Sequence, residues 1–281
     1  MSRGWKSPAP FDWQAHVHRA LAEDIVTGDL SAAVLEGKTF HWYIEAEAEG
    51  VACGLGIAYE LLISSIPGAN GELASEDGDA VSPGKTVISG SGPAEHLLSR
   101  ERVALNYIIH LSGIATVTSR YAEAIADLPC EVVDTRKTLP GLRALQKYAV
   151  RCGGGRNHRM GLYDGIMLKD NHIQAYGSIT KAVEKARSLA THMMMIEVEC
   201  TNESMVDEAV EAGADIVMLD NMSPDRMSEI VAKHQGRTKF EASGGITLDT
   251  IRAAAESGVD AVSVGALTHS APGLSFHMEM K

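Results

Sequence analysis

The chain has 281 residues, 45% of them hydrophobic and 22% charged, and a formal net charge of −12. These are the proportions of a folded protein long enough for one large domain and a smaller companion, and they exclude extended disorder. An acidic balance of this size also argues against a broad nucleic-acid or anionic-membrane surface, and both are excluded as partners.

Segment 1–13, MSRGWKSPAPFDW, lacks the apolar run of a signal peptide, and no apolar stretch in the chain reaches the length of a membrane span. Residues 12–25 (DWQAHVHRALAEDI) have helical spacing, residues 40–54 (FHWYIEAEAEGVACG) look like strand, and residues 75–93 form a turn-rich hairpin region. From 98 to 128 a long apolar-periodic helix is expected, broken near Ser112 and Gly113 because glycine is a poor helix former.

Beyond it, short apolar runs alternate with helical segments. The runs are CEVVD (130–134), GIMLK (165–169), MMMIEVE (193–199), DIVMLD (215–220), KFEAS (239–243) and DAVSVG (260–265). Amphipathic helices lie between the last four, with Gly213 and Gly258 placed as helix C-caps. Such alternation implies parallel strands buried on both faces of an α/β sheet or barrel. The runs end in Asp134, Lys169, Glu199, Asp220, Ser243 and Gly265. In a (β/α) barrel those positions share the rim where catalytic groups sit.

EASGGIT and VGALTHSAP follow the final two strands and place glycines where backbone N–H groups can approach a phosphate. Glu199 and Asp220 could act as acid and base, could bind Mg²⁺ through oxygen, or could pair with basic residues nearby. Between Asp134 and His172 there are eight basic residues against three acidic ones. That segment contains RCGGGRNHRMG (151–161) and looks like a polyanion clamp, with Arg136, Lys137, His158, Arg159 and Lys169 as walls and the glycines admitting a ligand to the backbone. Arg143, Lys147 and Arg151, at helical spacing, are assigned to the outer face of a helix or to salt bridges.

Four scattered cysteines without a C-x-x-C pair suggest neither zinc nor a disulfide framework, and a reducing, cytoplasmic location is expected. No H-E-x-x-H, P-loop, G-x-G-x-x-G or G-x-S-x-G motif occurs.

The block 134–173, DTRKTLPGLRALQKYAVRCGGGRNHRMGLYDGIMLKDNHI, closely resembles the signature of the nicotinate-nucleotide pyrophosphorylases, also called quinolinate phosphoribosyltransferases. ALAEDIVTGDLS (20–31), SRERVALNYIIHLSGIAT (99–116), IEVEC (196–200), VMLDN (217–221), EASGGI (241–246) and SVGAL (263–267) resemble the family's other blocks in order. The chain departs from the pattern at Val26, where glycine is usual, at Ser31, where threonine is common, and in its tail, FHMEMK.

The resemblance implies a type II phosphoribosyltransferase in which an N-terminal α/β sandwich precedes an incomplete (β/α) barrel of parallel strands. On that pattern residues 1–110 form the sandwich, 111–272 the barrel, and 273–281 a tail packing back on the first domain. The implied reaction joins quinolinate to 5-phosphoribosyl-1-pyrophosphate with Mg²⁺, giving nicotinate mononucleotide, pyrophosphate and CO2 on the de novo route to NAD. It also implies a homodimer with shared active sites, the choice between two and six chains being left open.

By matching positions, Arg136, His158 and Arg159 should hold the quinolinate carboxylates, with Arg102 reaching in from the other subunit. Lys137 and Lys169 should lie between dicarboxylate and pyrophosphate. Glu199 and Asp220 should engage the ribose hydroxyls or Mg²⁺, and Ser243, Gly244, Gly245, Gly265 and His269 the 5-phosphate. The alternatives are a related enzyme with another acceptor, such as nicotinate or that of the molybdenum-operon paralogue, and a non-catalytic barrel that binds phosphate ligands.

Overall fold

The structure is a computed structural model and describes residues 13–280. The leader-free segment expected at the start therefore lies, up to residue 12, outside the described residues. The chain forms α1 (Trp13–Ile25), β1 (Thr39–Ala46), β2 (Gly50–Val51), α2 (Leu55–Tyr59), β3 (Asn70–Leu73), β4 (Ala80–Val81), β5 (Thr86–Pro93) and α3 (Ala94–Ala124). There follow β6 (Glu131–Val133), α4 (Arg143–Cys152), β7 (Ile166–Leu168), α5 (Asp170–Tyr176), α6 (Ile179–Leu189), β8 (Ile196–Cys200) and α7 (Glu203–Glu211). The last elements are β9 (Ile216–Asp220), α8 (Pro224–Lys233), β10 (Lys239–Ser243), α9 (Ile251–Glu256), β11 (Ala261–Ser263), α10 (Ala266–His269) and β12 (Phe276–Met280). None of these helices is long and apolar enough to cross a membrane.

Two compact units result among the described residues: 13–119 with 140–154 and 270–280, and 120–139 with 155–269. Residue 110 lies within α3, and residues 140–154 group with the first unit. In that unit an antiparallel sheet runs β12-β1-β5-β3. Along β1 the period-2 pattern turns Trp42, Ile44 and Ala46 inward. The tail supplies β12, whose residues 276–280 pair with residues 46–42 of β1.

The break expected in α3 does not occur. Ser112 uses its hydroxyl twice on Cys53, accepting from the backbone N–H at 2.8 Å and donating to the carbonyl at 3.1 Å. Gly113 is there for close approach, because a Cβ at that position would sit 2.1 Å from the Pro272 carbonyl oxygen. Lys147 also departs from expectation: it is fully buried, as are Leu145, Ala149 and Val150 around it on α4, and Tyr148 is buried beside them. A helix covered on so much of its circumference has little outer face left, and of the three basic residues only Arg151 is exposed.

Val26, directly after α1, has φ +41° and is 80% exposed. A β-branched side chain in the left-handed region is strained, which gives a physical reason for the glycine usual there. Relief of the strain is worth about 1–2 kcal/mol, and the extra chain entropy of glycine offsets about 0.5–1 kcal/mol of it. Val26→Gly is therefore expected to raise stability by up to about 1 kcal/mol, read as a higher urea midpoint.

The second unit is built on six parallel strands in the order β6-β11-β10-β9-β8-β7. Every apolar run read from the sequence becomes one of them, and their interiors are buried on both faces, Val198, Val217, Leu219, Ala242 and Val262 on one and Glu197, Met218, Glu241 and Ser263 on the other. The edge strands β6 and β7 form no ladder with each other, so the sheet is open. Gly213 and Gly258 adopt φ +77° and +91° after α7 and α9, as C-capping requires.

Candidate active site

The strands of the second unit run parallel, so their C-terminal ends and the loops that follow meet on one side. There they enclose a cavity of about 820 Å³. Arg136, Lys137, His158, Arg159, Lys169, Glu199, Asp220, Ser243, Gly244, Gly245, Gly265 and His269 all line it. Of the residues anticipated for the site only Arg102 does not; it is exposed on α3 in the first unit.

The basic wall is assembled from three chain segments. Arg136 and Lys137 follow β6 and are exposed, Lys169 follows β7, and Arg159 follows a knot of Asp134, Asn157 and His158. In that knot the fully buried Asp134 carboxylate accepts from Asn157 Nδ2 at 2.6 Å and from the His158 backbone N–H at 2.9 Å. Arg159 Nη1 donates to the Gly165 carbonyl at 2.8 Å, which fixes the direction of its guanidinium. Burial, reinforced by the charge of Arg136, holds the Arg159 guanidinium below its usual pKa. Two guanidiniums close enough to repel are stabilised by an anion bound between them.

The glycines of RCGGGRNHRMG play a different part from the one expected, since none of them lines the cavity. Gly153 packs on α3, where a Cβ would come within 2.3 Å of the Ala115 carbonyl oxygen, and Gly154 turns the chain at φ +88°. Arg156 pairs with Glu131 through Nε at 2.9 Å and is likewise absent from the lining.

On the acidic side, Glu199 at the end of β8 forms an ion pair with Lys169. Asp220 at the end of β9 accepts from Asn221 Nδ2 at 2.8 Å. Asn221 has φ +57°, a conformation asparagine tolerates. Its side chain lies where a Cβ on Gly244 would be, 2.3 Å from Oδ1, and Gly244 itself has φ +98°. Glycine is therefore required there for both space and conformation. Gly265 leaves room for Lys137 and His269, whose side chains lie 3.1 and 3.2 Å from a Cβ placed on it.

Sequence reasoning missed a charged group in the floor. Glu241, two residues before Ser243 and so on the same face of β10, lines the cavity and is buried. Glu197 lies beside it, also buried. His158 Nε2 is 2.9 Å from Glu197 Oε2 and 3.8 Å from Glu241 Oε2, and the ligand-type atoms of the three residues fall within 4.8 Å of one another. His158 Nδ1 accepts the Arg159 backbone N–H at 2.7 Å, which assigns the ring proton to Nε2, facing Glu197. Burial first, and then the charge of Glu197, push the Glu241 carboxyl up to about 7. The available signal was the glutamate between Phe240 and Ala242; no turn or cap accounts for a charge in mid-strand.

The chain matches two family models, the N-terminal domain of quinolinate phosphoribosyl transferase over residues 24–112 and its C-terminal domain over residues 114–279. It is 46% identical over 259 residues to a probable nicotinate-nucleotide pyrophosphorylase [carboxylating] of Bacillus subtilis (strain 168), covering 92% of this chain and 90% of that one. The nicotinate-nucleotide pyrophosphorylase [carboxylating] of Mycobacterium leprae is 38% identical, with 90% of this chain and 92% of the relative covered. Among solved structures, NadC from Streptococcus pyogenes superposes with a TM-score of 0.91 at 41% identity, covering 97% of each chain. Matched in both its sandwich and its parallel-strand unit, this chain belongs to the quinolinate phosphoribosyl transferase family.

Proposed function

We propose that the chain is a quinolinate phosphoribosyltransferase, forming nicotinate mononucleotide, pyrophosphate and CO2 from quinolinate and phosphoribosyl pyrophosphate. The observation that carries this reading is one cavity holding two guanidiniums and two lysines at one wall and the glycine-rich loops 243–247 and 265–269 at another. Both substrates are polyanions, and each has a matching surface.

Arg136 and Arg159 hold the two ring carboxylates as forks. The loop after β10 and the start of α10 cradle the 5-phosphate through backbone N–H groups, with His269 beside them. Between these anchors the pyridine nitrogen is brought against the anomeric carbon, and attack there expels pyrophosphate through an oxocarbenium-like state. Lys137 and Lys169 face the leaving pyrophosphate, and Glu199 and Asp220 face the ribose.

Glu199 and Asp220 are oxygen donors lining one cavity, and Asp220 has only Asn221 against its carboxylate in the hydrogen bonds above, so the donor set suits Mg²⁺. When bound, the ion would neutralise charge on the pyrophosphate. His158, with both ring nitrogens turned to protein partners, shapes the floor of the clamp.

Arg102, exposed on α3, is assigned to the second protomer's site, which makes the working enzyme a homodimer or a larger assembly. A cytoplasmic location belongs to the same reading.

Incubation of purified protein with quinolinate, phosphoribosyl pyrophosphate and Mg²⁺ is expected to release pyrophosphate and CO2 in equal amounts. Preference for nicotinate, a monocarboxylate that would leave an arginine unsatisfied, would sink the substrate assignment. Absence of pyrophosphate release would instead favour a silent phosphate-binding barrel.

A further inference from the structure

Of the two rim carboxylates, Glu199 is ion-paired with Lys169, whereas Asp220 takes its hydrogen bond from the neutral carboxamide of Asn221. Asp220, Asn221 and Gly244 all line the cavity. Resting on the function proposed above, we infer that Asn221 is a positioning residue for the reaction: it aims the Asp220 carboxylate without neutralising it, and ties that carboxylate to the phosphate loop after β10.

Three contacts converge on this side chain and its backbone. Nδ2 donates to Asp220 Oδ2 at 2.8 Å, and Asp220 Oδ1 is left without a hydrogen bond among the described residues. The Asn221 backbone N–H donates to the Ser243 carbonyl at 2.9 Å. Because a peptide is planar, holding that carbonyl also fixes the direction of the Gly244 N–H. The carboxamide itself lies over Gly244, where a Cβ would come 2.3 Å from Oδ1 and 2.5 Å from Cγ. One residue thus touches the carboxylate and covers the loop.

The residue type matches that task. A carboxylate at the end of a strand has several staggered rotamers open to it, and a hydrogen bond to one oxygen selects among them. A lysine or arginine at 221 could hold the same oxygen but would offset the charge that a cation or a developing oxocarbenium requires. A neutral donor orients and leaves the charge in place.

The fold alone does not call for a carboxamide here. The helix that follows, α8, is capped by Ser223, whose side chain accepts from the Arg226 backbone N–H. The turn at φ +57° is one that glycine makes at no steric cost. What asparagine adds to that turn is its reach to Asp220 and its cover of Gly244.

The test is a double-mutant cycle of Asn221→Gly, which keeps the left-handed turn and deletes the carboxamide, with Asp220→Ala. Two quantities are read: kcat, and the affinity for ribose 5-phosphate, an unreactive probe carrying the phosphate and the hydroxyls, titrated beside quinolinate. Asn221→Gly is expected to lower kcat about tenfold to a hundredfold and to weaken ribose 5-phosphate about tenfold, with quinolinate held within about twofold. In the Asp220→Ala background the same replacement is expected to change either quantity by less than about threefold, since the group it positions is gone. Losses of equal size in both backgrounds would mean that Asn221 acts independently of Asp220 and would overturn the inference, as would equal weakening of quinolinate. Unchanged kcat and unchanged ribose 5-phosphate affinity in Asn221→Gly would remove the residue from the site. If the unaltered protein releases no pyrophosphate with quinolinate and phosphoribosyl pyrophosphate, the functional reading fails, and the ribose 5-phosphate cycle still decides the positioning role.

Discussion

Arg159→Ala is expected to weaken quinolinate binding about tenfold to a hundredfold, through loss of a charge-assisted contact of about 1.5–3 kcal/mol. Phosphoribosyl pyrophosphate, which the proposed function assigns to the loops after β10 and β11, should keep its affinity. Isothermal titration of each ligand separately makes the comparison. Arg159 also donates to the Gly165 carbonyl, so the unfolding midpoint of the variant must be measured beside it. Arg136→Ala has no such complication in the hydrogen bonds described and should show the same selectivity. Equal weakening of both ligands would mean that the clamp is misassigned.

That experiment is available because the basic wall could be read from the chain itself. Charged residues that end buried parallel strands converge by geometry, and Lys169, Glu199, Asp220 and Ser243 needed only the strand–helix alternation to be placed together. Glu241 escaped the same reading because it lies inside a run, where its meaning depends on Glu197 and His158, contributed by distant segments. The fate of RCGGGRNHRMG shows a related limit. Glycine can serve a ligand or a neighbouring backbone equally well, and only the packing of Gly153 on α3 decides between them. Lys147 was misplaced for a similar reason, since helical spacing gives the phase of a face but not how much of the helix is covered. For Arg102 the sequence offered a role through family resemblance alone.

Gly113→Ala is expected to destabilise the protein by about 2 kcal/mol or more, against the trend of helix propensity. In an exposed helix the change would gain about 1 kcal/mol. Here the added methyl would meet the Pro272 carbonyl oxygen at 2.1 Å and Gly273 Cα at 2.9 Å, both backbone atoms that no rotamer change can move aside. Overpacking of this kind costs about 1–3 kcal/mol, and more when backbone must shift. The thermal midpoint should fall by on the order of 5 °C. A rise would show that the segment before β12 gives way freely and that α3 is limited by propensity at that point.

The pairing of β12 with β1 joins residues far apart in the sequence. On the ribosome, β1 emerges more than two hundred residues ahead of the strand that covers its edge. Throughout that interval the nascent polypeptide presents an uncapped row of amides and carbonyls, the kind of template that recruits foreign strands. Completion of the first unit must wait until translation has passed the entire second one, so chaperone demand during synthesis should centre on the edge of β1.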